Sequence, residues 1–335
     1  MTFSLAERLS QYISSRYPDA VVSDVRFFVS GFESETYTCH VTRVSISTDE
    51  HILRLFTGAG AAEKLTREAR GLTLLQKAGY PVPALLLQES DPQILGKPFE
   101  IIERLKGRSL WPVLASAEAW QQGQLLSRFA SLLACLHRLD WRLFTQDPET
   151  YDEHPARLLE EAISHYRSLY TKYNLRGFLK IVNWLDAHKH EISVQPAVLH
   201  QDFHANNVFL CSDDQVAVID WTQFAVSDYR IDLCWTLLIM GDFGNPDWGN
   251  QILRAYASHS LRPVEDLDYF HVIVGMKLLA STVISFAFGP AELGLRPEAV
   301  KLTNEQLLIY RQISRRIRTI TGLTVPEWED MIERM

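Results

Sequence analysis

The chain has 335 residues, is 47% hydrophobic and carries a net charge of −8 at neutral pH. That length buries a sizeable core and exceeds the usual size of one compact domain, while the acidic balance argues against nucleic acid as the main partner. Four cysteines, Cys39, Cys135, Cys211 and Cys234, stand at no metal or redox spacing and read as small buried hydrophobes in a reducing compartment.

The first twenty residues lack a long apolar stretch and read as an amphipathic helix, which leaves the cytoplasm as the expected location. Residues 27–41 predict a strand, a turn and a strand, with Gly31 and Ser34 able to bring a backbone amide and a hydroxyl close to phosphates. Residues 51–56 predict a third strand containing Arg54. A helix follows over residues 61–78, stopped by Gly79 and Pro81, and it carries Glu68 either as a partner for Arg54 or as one half of an exposed ion pair. Residues 99–107 form an apolar strand running into a linker, and the domain boundary is expected near Gly107: 1–106 as a sheet with a helix, 107–335 as a mostly helical domain.

From Trp111 onward the helical period dominates. Leu125, Phe129, Leu132 and Leu136 mark one apolar stripe; Leu158, Leu159, Ala162, Ile163, Tyr166 and Leu169 mark another. The most apolar window, residues 269–288, holds Lys277 and His271 and so predicts a buried helix rather than a membrane span. Arg311, Arg315, Arg316 and Arg318 form a basic stripe near Gly322, read as a solvated face that complements the helix dipole.

Residues 196–221 carry the chemistry. Residues 196–200, 208–211 and 216–221 predict three short strands, with a turn at 212–215 between the last two. The first loop holds Asp202, His204, Asn206 and Asn207, and Asp220 ends the strand that doubles back. Two carboxylates and a carboxamide converging at one sheet end suit a hard cation, and magnesium takes few protein oxygens beside substrate phosphates. His200 and His204 read as loop-bracing histidines.

The run His200-x-Asp202-x-His204-x-x-Asn207, then Ile219-Asp220-Trp221, then Asp228-x-x-x-Asp232-Leu233, resembles the signature of the aminoglycoside phosphotransferase and choline kinase superfamily. The Asp202-to-Asn207 spacing also matches the protein-kinase catalytic loop. The resemblance implies an α+β, bilobal, protein-kinase-like fold with a small antiparallel β-sheet lobe and a larger, mostly helical lobe. It implies Asp202 as the catalytic residue, Asn207 and Asp220 as ligands of Mg2+, and His200, His204 and Asp232 as supports of the catalytic loop. It places Arg54 where the family has a phosphate-contacting lysine, paired with Glu68, and adds Gly31, Ser34, the Glu103 carbonyl and the Leu105 amide to the nucleotide site. The implied activity is ATP- or GTP-dependent transfer of a γ-phosphoryl group to a small-molecule hydroxyl, in a protein that engages neither nucleic acid nor membrane. Tyr229, Trp235, Asp242, Phe243, Asp247, Trp248 and Tyr256 read either as core or as a pocket for a cationic or amphipathic acceptor. Only seven residues separate Asp220 from Asp228, too few for the activation segment of a protein kinase. Three departures, Gln201 for glycine, Arg54 for lysine and Glu35 for asparagine, keep open a non-catalytic, nucleotide-binding regulatory relative as the alternative.

Overall fold

The computed structural model describes residues 4–30, 34–42, 50–212, 215–295 and 302–333. Gly31 lies outside them. The chain divides into two compact units. The first runs to Arg108 and includes Phe209–Gln223 and a stretch beginning at Pro290; the second takes Ser109–Val208, Phe224–Gly289 and the carboxy-terminal residues. The segment bearing Asp220 therefore packs with the first unit rather than with the rest of the chain beyond Gly107.

In the first unit, α1 (Leu5–Arg16) starts at a capping box of Ser4 and Glu7 and buries Leu9 and Ile13, four residues apart on one face. β1 (Val21–Ser30), β2 (Ser34–Thr42), β3 (Glu50–Phe56), β4 (Leu85–Glu89) and β5 (Phe99–Glu103) form an antiparallel sheet of order β1-β2-β3-β5-β4, with α2 (Ala61–Lys77) and the short α3 (Pro92–Leu95) between strands. Strand alternation decides what faces where. Leu53, Leu55, Phe99 and Ile101 enter the core with Leu9 and Ile13, which turns the intervening Arg54 and Glu100 to the opposite face. β6 (Gly107–Ser109) belongs to a separate three-stranded sheet.

The second unit contains α4 (Leu110–Ser116), α5 (Ala119–His137), α6 (Pro148–Glu153), α7 (Arg157–Lys172) and α8 (Arg176–His188). In chain order β7 (Pro196–Leu199) follows, then β8 (Val208–Cys211) and β9 (Val216–Val218), which fall almost wholly in the first unit, then β10 (Ala225–Asp228) back in the second, whose last helices are α9 (Tyr229–Leu237), α10 (Pro246–His259), α11 (Leu267–Phe288), α12 (Asn304–Thr321) and α13 (Pro326–Glu333). The buried stripe of α5 is Leu126, Phe129, Leu133 and Leu136, shifted by one residue from the expected Leu125 and Leu132, which are half-buried. On α7 the stripe ends on Tyr166 and Tyr170 rather than Leu169. α11 is long and apolar enough to cross a membrane, yet 67% of its most apolar window is buried. In the basic stripe of α12, Arg311, Arg315 and Arg318 are exposed, whereas Arg316 grips Asp242 with both terminal nitrogens at 2.8 and 3.0 Å. The four cysteines are free; Cys39 and Cys234 are buried, but Cys211 is half-buried and Cys135 exposed, so small-hydrophobe packing holds for only two.

The three strands expected to share one small sheet do not. β7 pairs antiparallel with β10, Leu199 opposite Ala225, whereas β8 lies between β6 and β9. β9 also ends at Val218, leaving Asp220 two residues beyond it. β6 and β8 approach so closely that a Cβ on Gly107 would collide with the Leu210 carbonyl. Gly107→Ala is therefore expected to lower stability by about 1–3 kcal/mol through forced backbone separation, measurable as a reduced urea midpoint with an unchanged slope.

Candidate active site

In the second unit, the loop after β7 is held by one face of α9 and the π-turn that extends it over Leu238–Asp242. The buried Asp232 carboxylate accepts the His200 amide at 2.7 Å and the Gln201 amide at 2.6 Å. One turn later, the Trp235 indole N–H donates to Asp202 Oδ1 at 2.9 Å and the Thr236 hydroxyl donates to the Phe203 carbonyl at 2.8 Å. Met240 Sδ receives the Ala205 amide at 3.4 Å. Positions 232, 235, 236 and 240 fall on one side of the helical spiral, so the loop is fixed residue by residue from a single rigid element.

Gln201, where the resembled family has glycine, sits at φ +64°, the left-handed region that glycine enters without strain. The cost to a residue with a Cβ is about 1–2 kcal/mol, and the Asp232 bond to its amide offsets it. His200 braces the same turn by accepting the Asp202 amide on Nδ1 at 3.2 Å. His204 caps the short turn Ala205–Asn207 by accepting the Asn206 amide, and its Nε2 lies 3.5 Å from Asp202 Oδ2. Burial works to raise the Asp202 pKa, but the His204 and His200 imidazoles and the Trp235 N–H outweigh it and hold the carboxyl below the usual aspartate range. The Asn207 amide nitrogen donates to the Asp202 carbonyl at 2.9 Å. Among the described residues nothing donates to Asn207 Oδ1.

Behind this loop, His137 Nδ1 meets the Tyr256 hydroxyl at 2.7 Å and its Nε2 lies 3.4 Å from Asp232 Oδ2. Burial lowers the His137 pKa despite Asp232, so the ring is neutral and one tautomer satisfies both contacts. Asp228 caps α9 and binds Arg230 through both of its oxygens, 2.9 and 2.8 Å, in a fully buried pair. The Arg230 guanidinium also donates to the Ser193 carbonyl and lies 4.3 Å over the Phe270 ring.

In the first unit, Arg54 and Glu68 do meet, and the pair is buried rather than exposed. Glu68 shares the buried stripe of α2 with Leu65, Leu72 and Leu75. The Arg54 guanidinium also donates to Glu100 at 3.3 Å and to Asp220 at 3.4 Å, and its Nε lies 3.5 Å from the Ser34 hydroxyl, which it occupies. Burial would lower the Arg54 pKa, but Glu68, Asp220 and Glu100 together raise it; burial raises Glu68 and Glu100, the latter further because Glu68 stands beside it. Asp220 itself adopts φ +66° and leaves 41% of its side chain exposed, with Thr222 Oγ1 3.3 Å away. The Trp221 amide donates to Glu68, which ties the segment after β9 to α2. Glu35 is neutralised by Lys97 at 2.7 Å. Glu103 uses its amide on the Ala84 carbonyl, and Leu105 lies in the short connection between β5 and β6.

The family model described as "Phosphotransferase enzyme family" matches residues 24–267 of this chain. The chain belongs to the phosphotransferase enzyme family. Among curated relatives, acyl-CoA dehydrogenase family member 10 of Mus musculus is 24% identical over 182 residues, 53% of this chain but only 17% of that protein, so the chain spans a small part of the relative's length. A putative aminoglycoside phosphotransferase from Ralstonia eutropha is similar in structure with a TM-score of 0.64 and 17% identity, over 96% of this chain and 97% of that one. Choline kinase LicA from Streptococcus pneumoniae gives a TM-score of 0.56 at 16% identity, over 93% and 98%. The GDP complex of an aminoglycoside 2′-phosphotransferase-IIIa mutant gives 0.59 at 15%, over 95% and 99%. The fold is thus the kinase-like one, an antiparallel sheet unit and a mostly helical unit.

Sequence alone does not single out Glu100, His137 or Arg230 in this phosphotransferase-family chain. Glu100 left a trace, a charge inside an otherwise apolar strand opposite Arg54; the two others needed partners that only folding supplies. Tyr229, Trp248 and Tyr256 are buried core, and Asp242 is committed to Arg316, while Trp235 alone of that group touches Asp202. Asp232→Ala leaves two adjacent amides without their acceptor, and the expected destabilisation is about 2–4 kcal/mol by chemical denaturation. Asp232→Asn retains one acceptor oxygen and should lose roughly half as much.

Proposed function

We propose that the chain is a small-molecule kinase that transfers the γ-phosphoryl group of a purine nucleoside triphosphate to a hydroxyl. The observation that carries this reading is Asp202, ionised by its surroundings and fixed by the Trp235 indole beside the free Asn207 oxygen. Asp202 aligns the acceptor hydroxyl for in-line attack and takes its proton late, since a loose transition state demands position more than basicity. Arg54 steadies the nucleotide phosphates, with Glu68 and Ser34 holding the guanidinium. The Glu103 carbonyl and Leu105 amide contact the base edge. His200, His204 and Asp232 keep the catalytic turn in shape.

Asn207 and Asp220 offer one carboxamide and one carboxylate oxygen, a donor set that suits magnesium, which keeps waters and substrate phosphates as its other ligands. Bound there, the cation would neutralise charge developing on the phosphates. AMP-bound LicA and the GDP-bound aminoglycoside phosphotransferase support a nucleotide co-substrate without choosing between ATP and GTP.

The cationic or amphipathic acceptor anticipated from aromatic residues draws little support from those residues themselves. Most of those aromatics are interior, and the Lys277 ammonium already stands 4.8 Å over the Trp235 ring. A panel of cationic, neutral and acidic hydroxyl compounds, read as magnesium-dependent nucleoside diphosphate release, tests the class.

Asp202→Asn is expected to lower acceptor-dependent turnover at least about a hundredfold while nucleotide affinity stays within a few-fold of wild type. Turnover close to wild type would remove Asp202 from the chemistry. Because the folded-state pKa of Asp202 is depressed below about 3.9, its ionised form persists as pH falls, so kcat should show no loss from this group above about pH 5. An Asp202-dependent acidic limb nearer neutrality in the pH profile would contradict that.

A further inference from the structure

We propose that Glu100 is a positioning residue for Arg54, and that it is the feature of this chain that makes arginine rather than lysine the fitting cation; the inference rests on the phosphate-binding role of Arg54 proposed above. Glu100 lies directly opposite Arg54 in the antiparallel register of β3 and β5, and it is fully buried. Nη1 of Arg54 serves Glu68 and Glu100 together, which leaves Nη2 directed to Asp220 at 3.4 Å. The three carboxyl groups thus fix the fork about its own plane, and only a planar group with separated nitrogens can answer all three.

A lysine has one nitrogen. Placed at the Nη1 position it would satisfy Glu68 and give up Asp220; placed nearer Asp220 it would strand Glu100. Glu100 Oε2 already has no hydrogen-bond partner among the described residues. Losing the donor to Oε1 would leave the whole carboxyl unpaired in the interior, which is costly whether or not it carries a proton. With an apolar side chain at position 100 the difficulty vanishes, because a lysine then has only Glu68 and Asp220 to serve. Arg54 and Glu100 are in this sense one device placed on adjacent strands.

The test is a double-substitution cycle read as affinity for a fluorescent ATP analogue with magnesium, with thermal unfolding followed on the same proteins. Arg54→Lys should weaken binding by about tenfold or more, whereas Arg54→Lys with Glu100→Met should recover to within about threefold of wild type. Glu100→Met alone should weaken binding about three- to tenfold with little change in kcat, and Glu100→Gln, which keeps an acceptor, should bind more tightly than Glu100→Met. Recovery in the double variant supports the pairing. Additive or worse losses overturn it, as does Glu100→Met binding like wild type, a comparison that survives even if Arg54→Lys fails to fold. Absence of nucleotide binding by the wild-type protein overturns the phosphate role of Arg54 and this proposal with it, and is distinguishable because it precedes any substitution.

Discussion

Two adjacent backbone amides on one buried carboxylate are the constraint from which the loop after β7 takes its form. Asp232 accepts both His200 and Gln201, and the second of these residues is held at a positive φ. Buried amide groups left without acceptors would each cost about 1–3 kcal/mol, more than the strain of the left-handed residue. The turn is therefore the cheapest way for the chain to leave β7, and the direction of Asp202 follows from it. Trp235 and Thr236 then act on a loop whose path is already set. Since all of these groups project from α9, any change that rotated or shifted that helix would move Asp232, Trp235 and Thr236 together.

A second constraint governs the first unit: acidic groups outnumber the cation among them. Glu68, Glu100 and Asp220 surround a single guanidinium with little access to water. Such a group of charges is stable only when its donors are in the right places or when a carboxyl keeps its proton, and burial raises both glutamates in that direction. Asp220 is the most exposed of the three carboxylates. The contacts that engage one oxygen of each buried glutamate thus keep Arg54 from turning onto Asp220 alone.

Sequence pattern alone made much of this legible, for reasons that can be traced to particular residues. A strand expected over residues 51–56 and a helix expected over 61–78 offered Arg54 and Glu68 as partners, with an exposed ion pair as the other reading, and the fold buries the pair. The family resemblance rests on side chains that chemistry holds at short spacings, so it too could be read in one dimension. What was not legible depended on pairing between distant segments. Nothing local reveals that β7 joins β10 while β8 joins β6, and the expected single sheet failed on that point. His137 is 95 residues from Asp232, and Glu100 acquires meaning only when its strand is laid beside β3. Aromatic residues around α9 and α10 left two readings open, because a stripe of rings has the same spacing whether it packs a core or lines a pocket.

The three departures from the resembled signature bear on whether the fold here is a working site or a relic. Gln201 enters a conformation suited to glycine, but Asp232 binds its amide; Glu35 stands where the resembled family has asparagine, but Lys97 neutralises it; Arg54 stands where that family has lysine, but three carboxyl groups fit its fork. Each departure is thus met by a contact of its own. A chain that had lost catalysis would need its core and its stability, yet it would gain nothing from holding Asp202 ionised and aimed, or from leaving the Asn207 oxygen free. The presence of those two features together with the compensations favours a catalytic protein over the regulatory alternative, and it locates the chain's individuality in the partners of its unusual residues rather than in the residues themselves.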